Sequence, residues 1–104
     1  MLFVRPKNLD EKALILDIRP QEEYLEERLF LPHIHEVFDE NTNIEKIIEK
    51  YNLNNNKTIN ILCSSGSRAE TMAAKLQENG IHNVAIVLGG MDGVKYDDLP
   101  TITQ

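Results

Sequence analysis

A single cysteine, Cys63, stands in a chain of 104 residues, and tryptophan is absent. One thiol excludes an internal disulfide, a redox thiol pair and a cysteine-based zinc cluster. Long apolar runs are also missing, and none approaches the ~20 residues that a membrane-spanning helix needs. The opening residues Met1 to Pro6 carry neither the apolar stretch nor the cleavage site of a secretory signal, so a cytoplasmic, membrane-free setting is expected. Basic blocks are absent too. Eleven Lys and Arg against seventeen Asp and Glu give a net charge of −6, which repels a nucleic-acid backbone on average. His33, His35 and His82 have no Cys or carboxylate joined to them at ligand spacing. No metal site and no cofactor are expected.

What is present belongs to an ordinary globular chain: 41% hydrophobic and 27% charged residues, with length for one domain over 1–104. A globule of this size buries roughly two-thirds of the surface its unfolded chain exposes, enough for a core without staples. Apolar strand signals alternate with helix signals. Ala13 to Leu16 is a continuous apolar run ending at Asp17, the pattern of a strand covered on both faces. Pro20 opens a short acidic helix predicted over 21–28, and a short strand is predicted over 35–38. Asn43 caps a helix with Ile44, Ile47, Ile48 and Tyr51 on one side. The asparagine-rich stretch 52–57 is a loop, and 58–63 is a strand. A helix from Arg68 shows Ala69, Met72, Ala73 and Leu76 on its apolar face and stops at Asn79-Gly80. The last predicted strand, 84–88, is closed by Gly89-Gly90. The tail from Lys95 to Gln104 reads as a solvated terminus or a contact segment. Apolar strands separated by helices predict an α/β fold with a parallel sheet and helices on both faces. Asp17 and Cys63 then share the rim at the strands' C-terminal ends, where such sheets bind ligands.

Cys63-Ser64-Ser65-Gly66-Ser67-Arg68 places a thiol at a strand end, before four small residues and an arginine that opens a helix. Free N–H groups at a helix N-terminus attract anions, and small residues let them curl into a cradle. That field favours a thiolate, and Arg68 adds a permanent cation able to grip an oxyanion or the loop. A lone cysteine at a strand end is also at home as a small buried hydrophobe. The coincidence of strand end, small loop, glycine, arginine and amphipathic helix favours a nucleophile.

At these residues the chain resembles the rhodanese (sulfurtransferase) family. Asp17-Ile18-Arg19-Pro20-Gln21-Glu22-Glu23-Tyr24 is similar to the family's Asp-x-Arg-x-x-x-Glu-Tyr signature, and Cys63 to Arg68 to its Cys-x-x-Gly-x-Arg loop. Gly80, Asn83-Val84 and Leu88-Gly89-Gly90 continue the likeness in order. The resemblance implies a five-stranded parallel sheet flanked by helices and a persulfide carried on Cys63. Ser64, Ser65, Gly66, Ser67 and Arg68 would surround the outer sulfur and a small anionic donor such as thiosulfate. Asp17 and Arg19 would tie the rim together as structural support. With no second cysteine, the acceptor must be external: cyanide, a thiol or a sulfur-carrier protein. The stretch after Tyr24, matched by Glu27-Arg28-Leu29 or by Pro32-His33-Ile34, departs from the family pattern, so His33 is given no role. Val94 falls where an aromatic is usual, and an N-terminal helix is missing or shortened. Two other readings stand beside this one. A non-catalytic rhodanese-like module would bind partners through the acidic surface. A cysteine phosphatase or arsenate reductase would need a wider loop than the four residues between Cys63 and Arg68.

Overall fold

A computed structural model describes residues 2–104. The chain runs β1 (Leu2–Val4), a 3-10 turn (Pro6–Asn8), β2 (Leu14–Asp17), α1 (Gln21–Glu26), β3 (Glu27–Leu29), β4 (Ile34–His35), α2 (Ile44–Tyr51), β5 (Ile59–Leu62), α3 (Ser67–Glu78), β6 (Val84–Val87), α4 (Gly90–Tyr96) and β7 (Thr101–Thr103). Five strands form one sheet in the order β1-β6-β5-β2-β4, every pair parallel. Helices cover both faces, as expected for this α/β class.

The central strands are apolar throughout because both of their faces are roofed. Successive side chains point to opposite sides, so each strand feeds two cores. Leu16, Ile59, Ile61 and Ile86 meet Ile44 and Ile47 of α2 and Ala69, Met72, Ala73 and Leu76 of α3. Ile15, Leu62 and Val87 meet Leu29, Met91 and Val94 on the other face. Val94, standing where the resemblance places an aromatic, is fully buried in that second core. Local chemistry sets the helix ends. Asn43 Oδ1 accepts the Lys46 N–H at 3.2 Å, and the Ile81 N–H returns to Leu76 O at 2.9 Å past Gly80.

The structure departs from the sequence reading at the edges. β1 supplies a fifth strand that no pattern announced: it has three residues, two of them largely exposed. β4 is two residues at Ile34–His35, and beyond it single bonds from Glu36 N to Asp17 O and Phe38 N to Ile18 O continue toward Phe38. α1 ends at Glu26 rather than at residue 28, and α3 begins at Ser67. The cause of the first lies at the far end of the chain. β7 pairs antiparallel with β3, Glu27 opposite Thr103 and Leu29 opposite Thr101, and pulls the backbone extended. The tail is therefore a strand and not a solvated terminus. Among the described residues no helix is long and apolar enough to cross a membrane.

Replacing Leu76 by Ala removes a side chain with no exposed surface between α3 and the sheet. A loss of about 2–5 kcal/mol in urea unfolding is expected. The β3–β7 junction adds a pH signature. Lys95 Nζ lies 2.6 Å from Glu27 Oε1, and Thr101 Oγ1 donates to Glu27 Oε2 at 2.7 Å. The Lys95 ammonium first, and the Thr101 hydroxyl next, hold the Glu27 carboxyl below the usual carboxylate range. A carboxyl depressed on folding stabilises above its unfolded value and loses that contribution as pH falls through the folded value. The stability advantage of the wild type over Glu27→Gln is thus expected to be fully present above the ordinary glutamate pKa of about 4.3 and to be lost as the pH falls below it.

Candidate active site

β2 and β5 lie side by side with Asp17 opposite Leu62, so their C-terminal ends deliver Asp17 and Cys63 to one rim. The Ile18 N–H donates to Leu62 O at 2.9 Å, carrying the pairing past the strand ends. Two anchors hold the loop that leaves this rim.

The first is Asp17 with Arg19, both almost completely buried. Arg19 Nε lies 3.1 and 3.2 Å from the two Asp17 oxygens, and Arg19 Nη2 is 2.9 Å from Oδ2. The guanidinium also reaches Glu23 O at 3.4 Å and Glu27 O at 2.8 Å, so it clasps the end of α1 to the sheet. Such a forked pair holds geometry as well as charge. Tyr24 of α1 stacks on His35, centroids 3.8 Å apart and planes 5° apart. The Tyr24 hydroxyl lies 2.7 Å from His33 Nε2, and His33 Nδ1 lies 2.8 Å from Leu31 O. The carbonyl can only accept, so Nδ1–H donates to it and, in the neutral ring, Nε2 accepts a hydrogen bond from the Tyr24 hydroxyl. His33, given no role from sequence, thus orients Tyr24.

The second anchor is the first turn of α4. Met91 N–H donates to Cys63 O at 2.8 Å and Asp92 N–H to Ser64 O at 3.4 Å. This contact requires Gly90: with φ at +57°, a Cβ there would meet Cys63 O at 2.3 Å and the Ser64 carbonyl carbon at 2.7 Å.

Between these anchors the loop Ser64-Ser65-Gly66 turns into α3. Cys63 is 2% exposed, and its Sγ accepts the Gly66 N–H at 2.8 Å. Gly66 holds φ +112°, a conformation that disfavours any side chain. Ser64 Oγ turns aside and donates to Glu23 Oε1 on α1. Ser65, Ser67 and Arg68 are exposed. Arg68 faces a hollow of about 410 Å³ between α3 and the segment after β4, with Phe38, Asp39, Glu40, Thr71 and Lys75. On the other flank a hollow of about 460 Å³ is walled by Ser64, Glu23, Glu26, Asp92 and Lys95 among others. Of the expected loop donors, Gly66 alone points its amide at the sulfur; Ser64 serves α1 and Arg68 faces outward. Among the described residues no group of three or more His, Cys, Asp and Glu side chains converges as a metal site.

Residues 6–97 match the model of the rhodanese-like domain family. The chain belongs to that family. No curated relative matches the sequence. Among solved structures, a rhodanese-related protein from Thermoplasma volcanium is similar with a TM-score of 0.74 and 20% identity, covering 100% of both chains. A rhodanese-like domain protein from Staphylococcus aureus gives 0.72 and 21%, covering 96% of this chain and 97% of that one. A protein from Staphylococcus saprophyticus gives 0.70 and 25%, over 96% and 99%.

Glu23 and Gly90 are the site residues that sequence reasoning missed. Glu23 was visible as a signature position, but its contact with Ser64 spans 41 positions. Gly90 carried a signal, a glycine pair directly after a strand, and what it lacked was the partner. The Gly90→Ala protein is expected to lose at least about 2 kcal/mol, from clash and strained backbone together. The displaced loop should also expose Cys63, so iodoacetamide should label it faster than in the wild type at equal pH.

Proposed function

We propose that this rhodanese-like protein is a sulfurtransferase in which Cys63 carries sulfane sulfur as a persulfide. The observation that supports this reading most is the Gly66 N–H aimed at a buried Sγ, in a loop between a parallel strand and a helix N-terminus. A backbone donor there stabilises negative charge on sulfur in either the resting or the loaded state. In the loading step, the Cys63 thiolate attacks the outer sulfur of a donor such as thiosulfate. The new Sγ–S bond forms as the donor's S–S bond breaks, and sulfite leaves with the electron pair. In the discharge step, an external thiolate or cyanide attacks the outer sulfur and Cys63 departs as thiolate. The chain has no second thiol to resolve the persulfide, so this acceptor comes from solution or from a carrier protein.

Intact-mass measurement tests the proposal. Thiosulfate should add one sulfur atom, cyanide should remove it as thiocyanate, and Cys63→Ser should do neither while unfolding at a similar urea concentration. A wild type that never gains sulfur from any sulfane donor would leave the partner-binding module as the reading. Release of phosphate from an aryl phosphate would move the chain to the cysteine phosphatases.

A further inference from the structure

The two flanks of the Cys63 loop differ in charge. Beside Arg68, two cations face two carboxylates: Arg68 and Lys75 against Asp39 and Glu40. Beside Ser64 the balance is broken. Arg19 is taken up by Asp17, and Lys95 is paired with Glu27. Glu23, Glu26 and Asp92 line the same hollow with no cation within ion-pair distance among the described residues. Of these three, Glu23 is the one fixed to the loop, through the Ser64 hydroxyl, one residue from the sulfur carrier. Arg19 ties the Glu23 backbone to the sheet, so the residue that carries this carboxylate is held beside the loop.

We infer that Glu23 is a specificity-determining residue: it selects a positively charged thiol, an aminothiol or a thiol within a basic peptide, as the sulfur acceptor and disfavours anionic substrates, thiosulfate included. The inference rests on the sulfurtransferase reading. An ammonium that enters the hollow beside Ser64 gains from Glu23 while its thiolate reaches the outer sulfur on Cys63. A sulfonate or carboxylate in the same place is repelled. At a separation of one side chain and the effective dielectric of a protein surface, one unit charge changes a rate by roughly threefold to tenfold, and salt screens the effect. The transfer itself is balanced: acceptor sulfur bonds to the outer sulfur, the Sγ–S bond breaks, and Cys63 recovers the electron pair.

Protein loaded with thiosulfate and freed of excess donor is mixed with cysteamine, 2-mercaptoethanol or 2-mercaptoethanesulfonate, and loss of the added sulfur mass is followed in a single turnover. Each rate in Glu23→Gln is divided by the same acceptor's rate in the wild type, which cancels the thiol's intrinsic reactivity. Normalised to 2-mercaptoethanol, the cysteamine ratio should fall roughly threefold to tenfold and the sulfonate ratio should rise. Loading by thiosulfate should be faster in Glu23→Gln. A purely structural role for Glu23 would move all three acceptors together and overturn the inference. The wild type alone supplies a second measurement that needs no variant. Raising the salt should slow cysteamine relative to 2-mercaptoethanol and speed the sulfonate, and acceptors that respond alike also overturn it. Failure to load sulfur at all is a different result, since it strikes the sulfurtransferase reading itself.

Discussion

The buried pair of Asp17 and Arg19 is the interaction on which the rim depends. Neither charge could stand there alone: removing one partner from a buried pair leaves an uncompensated charge and typically costs about 3–5 kcal/mol. The pair is also a joint. Asp17 ends β2, while the guanidinium collects the Glu23 and Glu27 carbonyls from the turn where α1 gives way to β3. Through Arg19 the sheet sets the position of α1, through α1 it sets Glu23, and through Glu23 it reaches Ser64 beside the cysteine. A charged pair that does little for net stability can in this way dictate geometry three contacts away.

The other side of the loop is held by an opposite kind of device, the absence of a side chain. Gly90 lets the first N–H groups of α4 touch the Cys63 and Ser64 carbonyls directly. Those carbonyls would otherwise need water at a place that is nearly dry. The strand-end cysteine is thus clamped by backbone on one flank and by side chains on the other. The sulfur is held between a backbone clamp and a side-chain clamp, which fixes its direction relative to the loop.

Much of this was legible along the chain, for reasons that differ by region. The interior strands announced themselves because burial on both faces demands unbroken apolar runs at Leu14–Asp17, Ile59–Leu62 and Val84–Val87. The helix at Ile44–Tyr51 was legible because Asn43 caps it and its apolar spacing has the helical period. The Cys63 loop was legible because strand end, small residues, glycine and helix start are neighbours in sequence. What escaped was set by distant partners. β1 is short, edge-bound and half exposed, so it leaves no alternation to read. β3 and β7 pair across more than seventy positions, and each alone is three ordinary residues. Asn55 looked like part of a plain polar loop, yet its side chain caps the far end of the sheet at Gly80 O, His82 N and Asn83 N. The outward direction of Arg68 belongs to the same class, because side-chain orientation at a helix start depends on what crowds it.

The pairing of β7 with β3 has a geometric result for anything joined to the chain. Thr103 and Gln104 form part of the wall of the hollow beside Ser64, next to Glu26 and Glu27. Polypeptide attached after Gln104 therefore emerges at the hollow beside Ser64 and not on the opposite pole of the molecule. An affinity tag placed there would lie over that hollow, and a flexible linker there would hold a fused domain at high local concentration beside the Ser64 flank of the loop. The N-terminal strand runs along the far edge of the sheet.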